Sequence, residues 1–264
     1  MRIIGIPGLN GLGKTIGTEQ APKAVVEKLK EEIFLTENGF KPAWEFEQLA
    51  VDNFNISETN KRIEEAVGNC EDIPLIIGGD HSITYSCFKA FSRKFRNVGI
   101  VVFDAHPDVE NSFSPPTHED YLRMLIEEGF VRAENVVLVG TRSFDANERD
   151  FLKSHRVQNF PMRVIAQEGI SEVCESVMEI AKNCGAVYVS IDIDAIDPAF
   201  APGTGYIEPG GLTSREFLYF LNRLKNLKNL RAFDVVEINP TKDVNGMTVK
   251  LGAKIVGEIL GYGG

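Results

Sequence analysis

Positive charge is in deficit in this 264-residue chain: 28 Lys and Arg stand against 38 Asp and Glu, for a formal net charge of −10. That balance excludes a polyanion such as nucleic acid as the expected partner and suits a small cation. Cysteine is also sparse. Cys70, Cys87, Cys174 and Cys184 show no paired metal-ligand spacing, so reduced, mostly buried thiols in a cytoplasm are the expectation. No apolar run reaches the roughly 20 residues that a membrane helix needs. Met1-Arg2-Ile3-Ile4-Gly5-Ile6 reads as a strand rather than a signal peptide, and no membrane partner is expected. Internal repeats, low-complexity segments and linker-like shifts in composition are absent, which favours one domain over residues 1–264.

What is present is an alternation of apolar strand-like runs with helical patterns, the mark of an α/β fold built on a parallel sheet with helices on both faces. Strands are expected near Ile3, Phe46, Leu75, Val101, Val137, Val189 and Val235, with a further one near Val164. Helices are expected over Lys23 to Leu35, Glu58 to Asn69, Tyr85 to Phe95, Tyr121 to Glu128, Ser171 to Lys182, Ser214 to Leu224 and Lys250 to Leu260.

Three of the strand runs end in acidic and imidazole side chains. Leu75-Ile76-Ile77-Gly78-Gly79 leads to Asp80 and His81; Gly99-Ile100-Val101-Val102-Phe103 leads to Asp104, His106 and Asp108; the run through Val189 leads to Asp192 and Asp194. Residues two apart on a strand share a face, so Asp192 and Asp194 are expected side by side. In parallel sheets such strand ends open on one crevice, where ligands bind. A lone Asp there is as readily a helix or turn cap. Three occurrences point instead to a metal centre made of His81, Asp104, His106, Asp108, Asp192 and Asp194. Shared carboxylates suit two ions about 3.5–4 Å apart. Oxygen-rich ligation without thiolate favours manganese before zinc.

These segments resemble the signatures of the ureohydrolase superfamily of arginases, agmatinases and formiminoglutamases. The three are Gly78-Gly79-Asp80-His81-Ser82, Asp104-Ala105-His106-Pro107-Asp108 and Ser190-Ile191-Asp192-Ile193-Asp194-Ala195-Ile196-Asp197-Pro198. The similarity runs from the first strand to the closing helix. It implies an arginase-like three-layer α/β/α fold with a mainly parallel eight-stranded sheet, and a homotrimer or homohexamer. It further implies two Mn2+ per subunit. His81, Asp104, Asp108 and Asp192 would hold one ion, and His106, Asp104, Asp192 and Asp194 the other. Asp80 and Asp197 would then orient ligands or form turns.

The implied chemistry is hydrolysis of a guanidino C–N bond. A guanidinium carbon is deactivated by resonance, and metal coordination lowers the pKa of water from about 15.7 towards ~7. Glu237 matches the family glutamate that grips the guanidinium by charge-assisted hydrogen bonds; the plain reading of the residue is an exposed strand-end Glu. Asp108 and His118 fit the relay of a proton to the departing amine. His118 is followed by Glu119 where the family usually has Gly, and Thr117 also reads as the cap of a helix starting at Glu119.

Two other classes compete. Gly8-Leu9-Asn10-Gly11-Leu12-Gly13-Lys14-Thr15 matches the phosphate-binding loop of NTPases, but that loop works by starting a helix at Lys-Thr, and Gly17 and Pro22 interrupt one here. A non-catalytic metal-binding scaffold is the second. As to substrate, the short interval from Asp108 to His118 and the segment Ala199 to Gly205 resemble agmatinases, which cleave agmatine to putrescine and urea. Arginine, guanidino acids and formiminoglutamate are the alternatives. Glu110, Asp145 and Glu148 are candidates to face a distal ammonium, or are solvated loop carboxylates.

Overall fold

Runs rich in Val, Ile and Leu become strands here because such side chains pack well on a pleated surface buried on both faces. The computed structural model describes residues 1–31, 36–39, 42–71 and 73–261. Its strands are β1 (Arg2–Ile6), β2 (Glu45–Gln48), β3 (Leu75–Gly78), β4 (Val98–Phe103), β5 (Val136–Val139), β6 (Gln158–Phe160), β7 (Ala186–Asp192) and β8 (Leu230–Val236). They pair in the order β2-β1-β3-β8-β7-β4-β5-β6, every pair parallel. The helices between and after them are α1 (Ala21–Glu31), α2 (Ile56–Gly68), α3 (Ile83–Ser92), α4 (Tyr121–Glu127), α5 (Ala146–His155), α6 (Met162–Glu168), α7 (Ile170–Lys182), α8 (Ser214–Leu224) and α9 (Met247–Leu260).

Alternate strand residues feed two separate cores, which makes the three layers. Ile3, Leu75, Val101, Val189 and Phe233 pack with α1 and α6 to α9; Ile4, Ile76, Val102, Tyr188 and Ala232 pack with α2 to α5. Register then sets the site. Phe103 pairs with Ile191, Ile191 with Val235, and Val235 with Ile77, so the four central strands end level. Residues just beyond them converge above the middle of the sheet, as expected at a crossover of strand order.

Several elements differ from the sequence expectation, among them α3, which starts two residues earlier and ends three earlier, and α9, which starts three residues earlier. Val164 lies in α6, not in a strand; the eighth strand is the three-residue β6, whose polar Gln158 and Asn159 sit at the sheet edge and give no apolar run. Residues 146–155 form α5, which has too few apolar positions to show helical periodicity. α4 begins at Tyr121 after an Asp120 that accepts from the Thr117 N–H and hydroxyl, so Thr117 is not the cap of a helix from Glu119. The helix expected from Lys23 starts at Ala21, with Pro22 in the first turn, where its missing N–H costs nothing. Its expected continuation over 32–35 lies outside the described residues.

Lys14 and Thr15 begin no helix. A turn, then a 3-10 helix at Thr18–Gln20, separates them from α1. Without helical N–H groups aimed at a phosphate, the NTPase geometry is missing. Instead Asp80 accepts from the Asn10 N–H at 2.7 Å and from the Thr15 hydroxyl at 3.0 Å, tying this segment down as a rim loop. Among the described residues no helix is long and apolar enough to cross a membrane.

Candidate active site

His81 is 1% exposed, in the turn between β3 and α3. Its Nδ1 lies 3.0 Å from Asp104 Oδ2, 3.1 Å from Asp108 Oδ2 and 3.3 Å from Asp192 Oδ2. Its Nε2 lies 2.9 Å from Ser190 Oγ, which donates to Asp234 at 2.7 Å. Because Ser190 spends its O–H on Asp234, it accepts from His81 Nε2–H. The Nδ1 lone pair is then left facing the carboxylates. The hydroxyls of Tyr188 and Thr84 also donate to Asp234, so the anchor is buried and saturated.

Asp104, Asp192 and Asp194 follow one pattern. Each Oδ1 accepts a backbone N–H: from His106 at 2.7 Å, Asp194 at 2.7 Å and Ala105 at 3.0 Å respectively. Each Oδ2 turns to a histidine Nδ1; for Asp194 this is His106 at 3.1 Å. The expectation of Asp192 and Asp194 on one strand face is corrected here. β7 stops at Asp192, and a 3-10 turn over Ile193–Ala195 brings Asp194 round to it. Donor atoms of His81, Asp104 and Asp192 lie within 4.8 Å of one another, as do those of Asp104, His106 and Asp194. Two sets sharing Asp104 fit two adjacent cations. His81 Nδ1 and Asp104 Oδ2 are buried with no hydrogen-bond partner, so the donors suit a metal ion rather than each other.

Electrostatics agree. Burial and the adjacent Asp104 push the Asp108 carboxyl up to about 8. Burial, Asp194 and Asp104 push Asp192 well above its ordinary range. Against burial, the His106 and His81 imidazoles hold Asp104 well below the usual carboxylate range, so the cluster ionises together only with positive charge among it, from imidazolium or from a metal ion. Asp108 and Glu237 both hold left-handed backbone, with φ of 52° and 63°, a strained state for non-glycine residues that concentrates at functional sites.

Glu237 is not an exposed strand-end residue, being 3% exposed just past β8. Its Oε1 accepts the His81 backbone N–H at 2.9 Å and lies 3.4 Å from His118 Nδ1. Its Oε2 is buried and unpartnered. A Cβ at Gly205 would come 3.4 Å from that oxygen, so glycine keeps its approach open. His118 is brought into the pocket despite the Glu119 that follows it. Burial works against its charge, but the Glu237 carboxylate outweighs burial and lifts His118 to about 9.

The pocket has a volume of about 320 Å³ and is lined by His81, His106, Asp108, Glu110, His118, Glu119, Asp145, Glu148, Asp192, Asp194, Tyr206 and Glu237. Of the other acidic residues named from sequence, Glu110, Asp145 and Glu148 gather with oxygens within 4.8 Å of one another. Asp145 and Glu148 also form the capping box of α5, so they are not free loop carboxylates. Burial, with Glu110 and Asp145 nearby, raises Glu148 to about 7. Asp197 staples its loop, accepting backbone N–H groups of Ala199, Gly210 and Gly211. Sequence reasoning missed Ser190, Tyr206 and Asp234. Ser190 had a signal, lying two before Asp192 on the same strand face.

The model described as "Arginase family" matches residues 1–261. The chain belongs to the arginase family. An arginase of Staphylococcus aureus (strain MRSA252) is 34% identical over 291 residues, covering 98% of this chain and 96% of that one. In three dimensions the chain is similar to formimidoylglutamase from Bacillus subtilis, with a TM-score of 0.91 at 26% identity over 98% of this chain and 85% of that one. It is likewise similar to proclavaminate amidino hydrolase from Streptomyces clavuligerus, with a TM-score of 0.89 at 28% identity over 98% and 90%. Membership makes the chain a hydrolase acting on guanidino compounds.

Proposed function

We propose that this arginase-family chain uses two manganese ions to hydrolyse a guanidino substrate with a cationic far end, agmatine, to urea and putrescine. His81, Asp104, Asp108 and Asp192 would hold one ion, and His106, Asp104, Asp192 and Asp194 the other. When bound, such ions supply the Lewis acidity that makes water nucleophilic near neutral pH. The observation that carries the substrate class is Glu237 Oε2, a buried acceptor without a donor at the pocket wall. A guanidinium N–H satisfies it, and the carboxylate aligns the planar cation beside the ligand cluster. His118, whose Nδ1 lies 3.4 Å from Glu237 Oε1, would hand a proton to the departing amine. Asp108, beside His81, is the carboxylate of that relay.

Agmatine is favoured over arginine by the lining, which beyond the ligands and Glu237 holds Glu110, Glu119, Asp145 and Glu148 and no Lys or Arg, Lys14 standing at the rim beside Glu119. Glu110, Asp145 and Glu148 face a distal ammonium. Arginine is the second reading, favoured by the name of the S. aureus relative. Agmatine, arginine, guanidino acids and formiminoglutamate, screened for release of urea or formamide, separate them. Agmatine is expected to exceed arginine in kcat/KM by at least about tenfold, the value of one charge-assisted contact. A preference for arginine would overturn the assignment, and no product from any compound would favour the scaffold.

A further inference from the structure

Lys14, Glu119 and Tyr206 meet at the rim of the pocket, on loops that follow β1, β4 and β7. The Tyr206 hydroxyl donates to Glu119 Oε1 at 2.8 Å. The same oxygen lies 3.7 Å from His118 Nε2 and 3.8 Å from Lys14 Nζ. The Tyr206 ring stacks on the His118 imidazole, centroids 5.8 Å apart at 26°, and meets His106 edge-on at 5.4 Å. Lys14 Nζ sits 5.1 Å from the centre of the Tyr206 ring. Lys242 Nζ donates to the carbonyls of Lys14 and Gly205, joining the two loops that carry the cation and the ring.

We infer that Tyr206 and Glu119, backed by Lys14, form a clasp that positions His118 for proton transfer. The inference rests on the role given to His118 above. Its imidazole has a carboxylate at either end: Glu237 faces Nδ1 and Glu119 faces Nε2. Nε2 is buried with no hydrogen-bond partner, so Glu119 is its nearest counter-charge rather than a firm anchor. The ring is therefore held at Nδ1 by Glu237 and over its face by the stacked Tyr206, and Tyr206 is held in turn by its hydroxyl on Glu119. Without that bond the aromatic plate is free to tilt away and the imidazole to turn, moving Nδ1 off the departing amine. Neither Tyr206 nor Glu119 transfers a proton; both are positioning residues.

The test is Tyr206→Phe, Glu119→Leu, which removes the accepting oxygen and keeps the bulk, and the double variant, compared on the manganese-loaded enzyme. Each single change should lower kcat roughly three- to tenfold while KM moves less than about threefold, since ground-state binding by Glu237 is untouched. The double variant should be no worse than the poorer single, because the two residues act as one unit. A second readout needs no substrate. Diethyl pyrocarbonate, with peptide mass analysis distinguishing the four histidines, should modify His118 several-fold faster in each variant than in the wild type. His81, 1% exposed, should stay protected in all of them and so report that the fold is intact. Unchanged kcat, an unchanged rate at His118, or fully additive losses would overturn the clasp. A wild type releasing no urea would sink the proposed function, while the carbethoxylation comparison would still judge the clasp.

Discussion

Asp192→Asn should strip the protein of metal and of hydrolysis together. The Asp192 Oδ2 faces His81 Nδ1 at 3.3 Å, and its Oδ1 accepts the Asp194 N–H at 2.7 Å. Replacing the carboxylate by an amide removes a charge that the proposed assignment shares between the two ions, and leaves the turn to Asp194 with a weaker acceptor. Partners outside the ligand set already cost 10–100-fold in metal affinity when changed, so loss of a shared ligand should exceed about 100-fold. Metal content after dialysis and urea release measure the two effects separately. Full retention of metal with full activity would remove Asp192 from the site.

Glu237→Gln should behave differently: the ions stay and turnover falls. The substitution keeps the side chain's size and the oxygen that accepts the His81 N–H, but it removes the charge facing the guanidinium. A hydrogen bond to a charged group is about 1.5–3 kcal/mol, and about 1.4 kcal/mol is tenfold in rate, so kcat/KM should drop ten- to hundredfold. Misalignment of the planar cation enlarges the loss. The proton relay is disturbed as well, because Glu237 is the group that keeps His118 charged up to about 9. With that charge removed, the folded-state pKa of His118 falls towards its ordinary value. The alkaline limb of the rate profile should therefore move to lower pH. Turnover like the wild type at unchanged metal content would show that Glu237 is not the clamp.

The strand ends were readable from sequence because a buried parallel strand is an unbroken apolar run, and a charged residue at its end stands out against that background. His81, Asp104, His106, Asp108, Asp192 and Asp194 all lie at such ends, and the structure gathers them. What escaped reading lacked that contrast. The edge strand β6 is three residues long with two of them polar, and α5 is a mostly exposed helix held by its Asp145–Glu148 capping box. Tyr206 and Glu119 sit in loops, where no periodicity exists to say which way a side chain points. Asp194 was placed on the correct crevice by the wrong route, through strand alternation rather than a 3-10 turn. Asp234 was invisible for a different reason: it faces inward from mid-strand in β8, where its three hydroxyl donors come from β7 and α3 and are assembled only by the fold.

The central claim is that the two donor sets sharing Asp104 hold two ions on which hydrolysis depends. It is tested most directly by stripping the protein with a chelator, titrating manganese back, and following bound metal and urea release on the same samples. Approximately two ions per chain should bind, with hydrolysis absent at the start and restored as the sites fill. Full hydrolysis by demonstrably metal-free protein would contradict it.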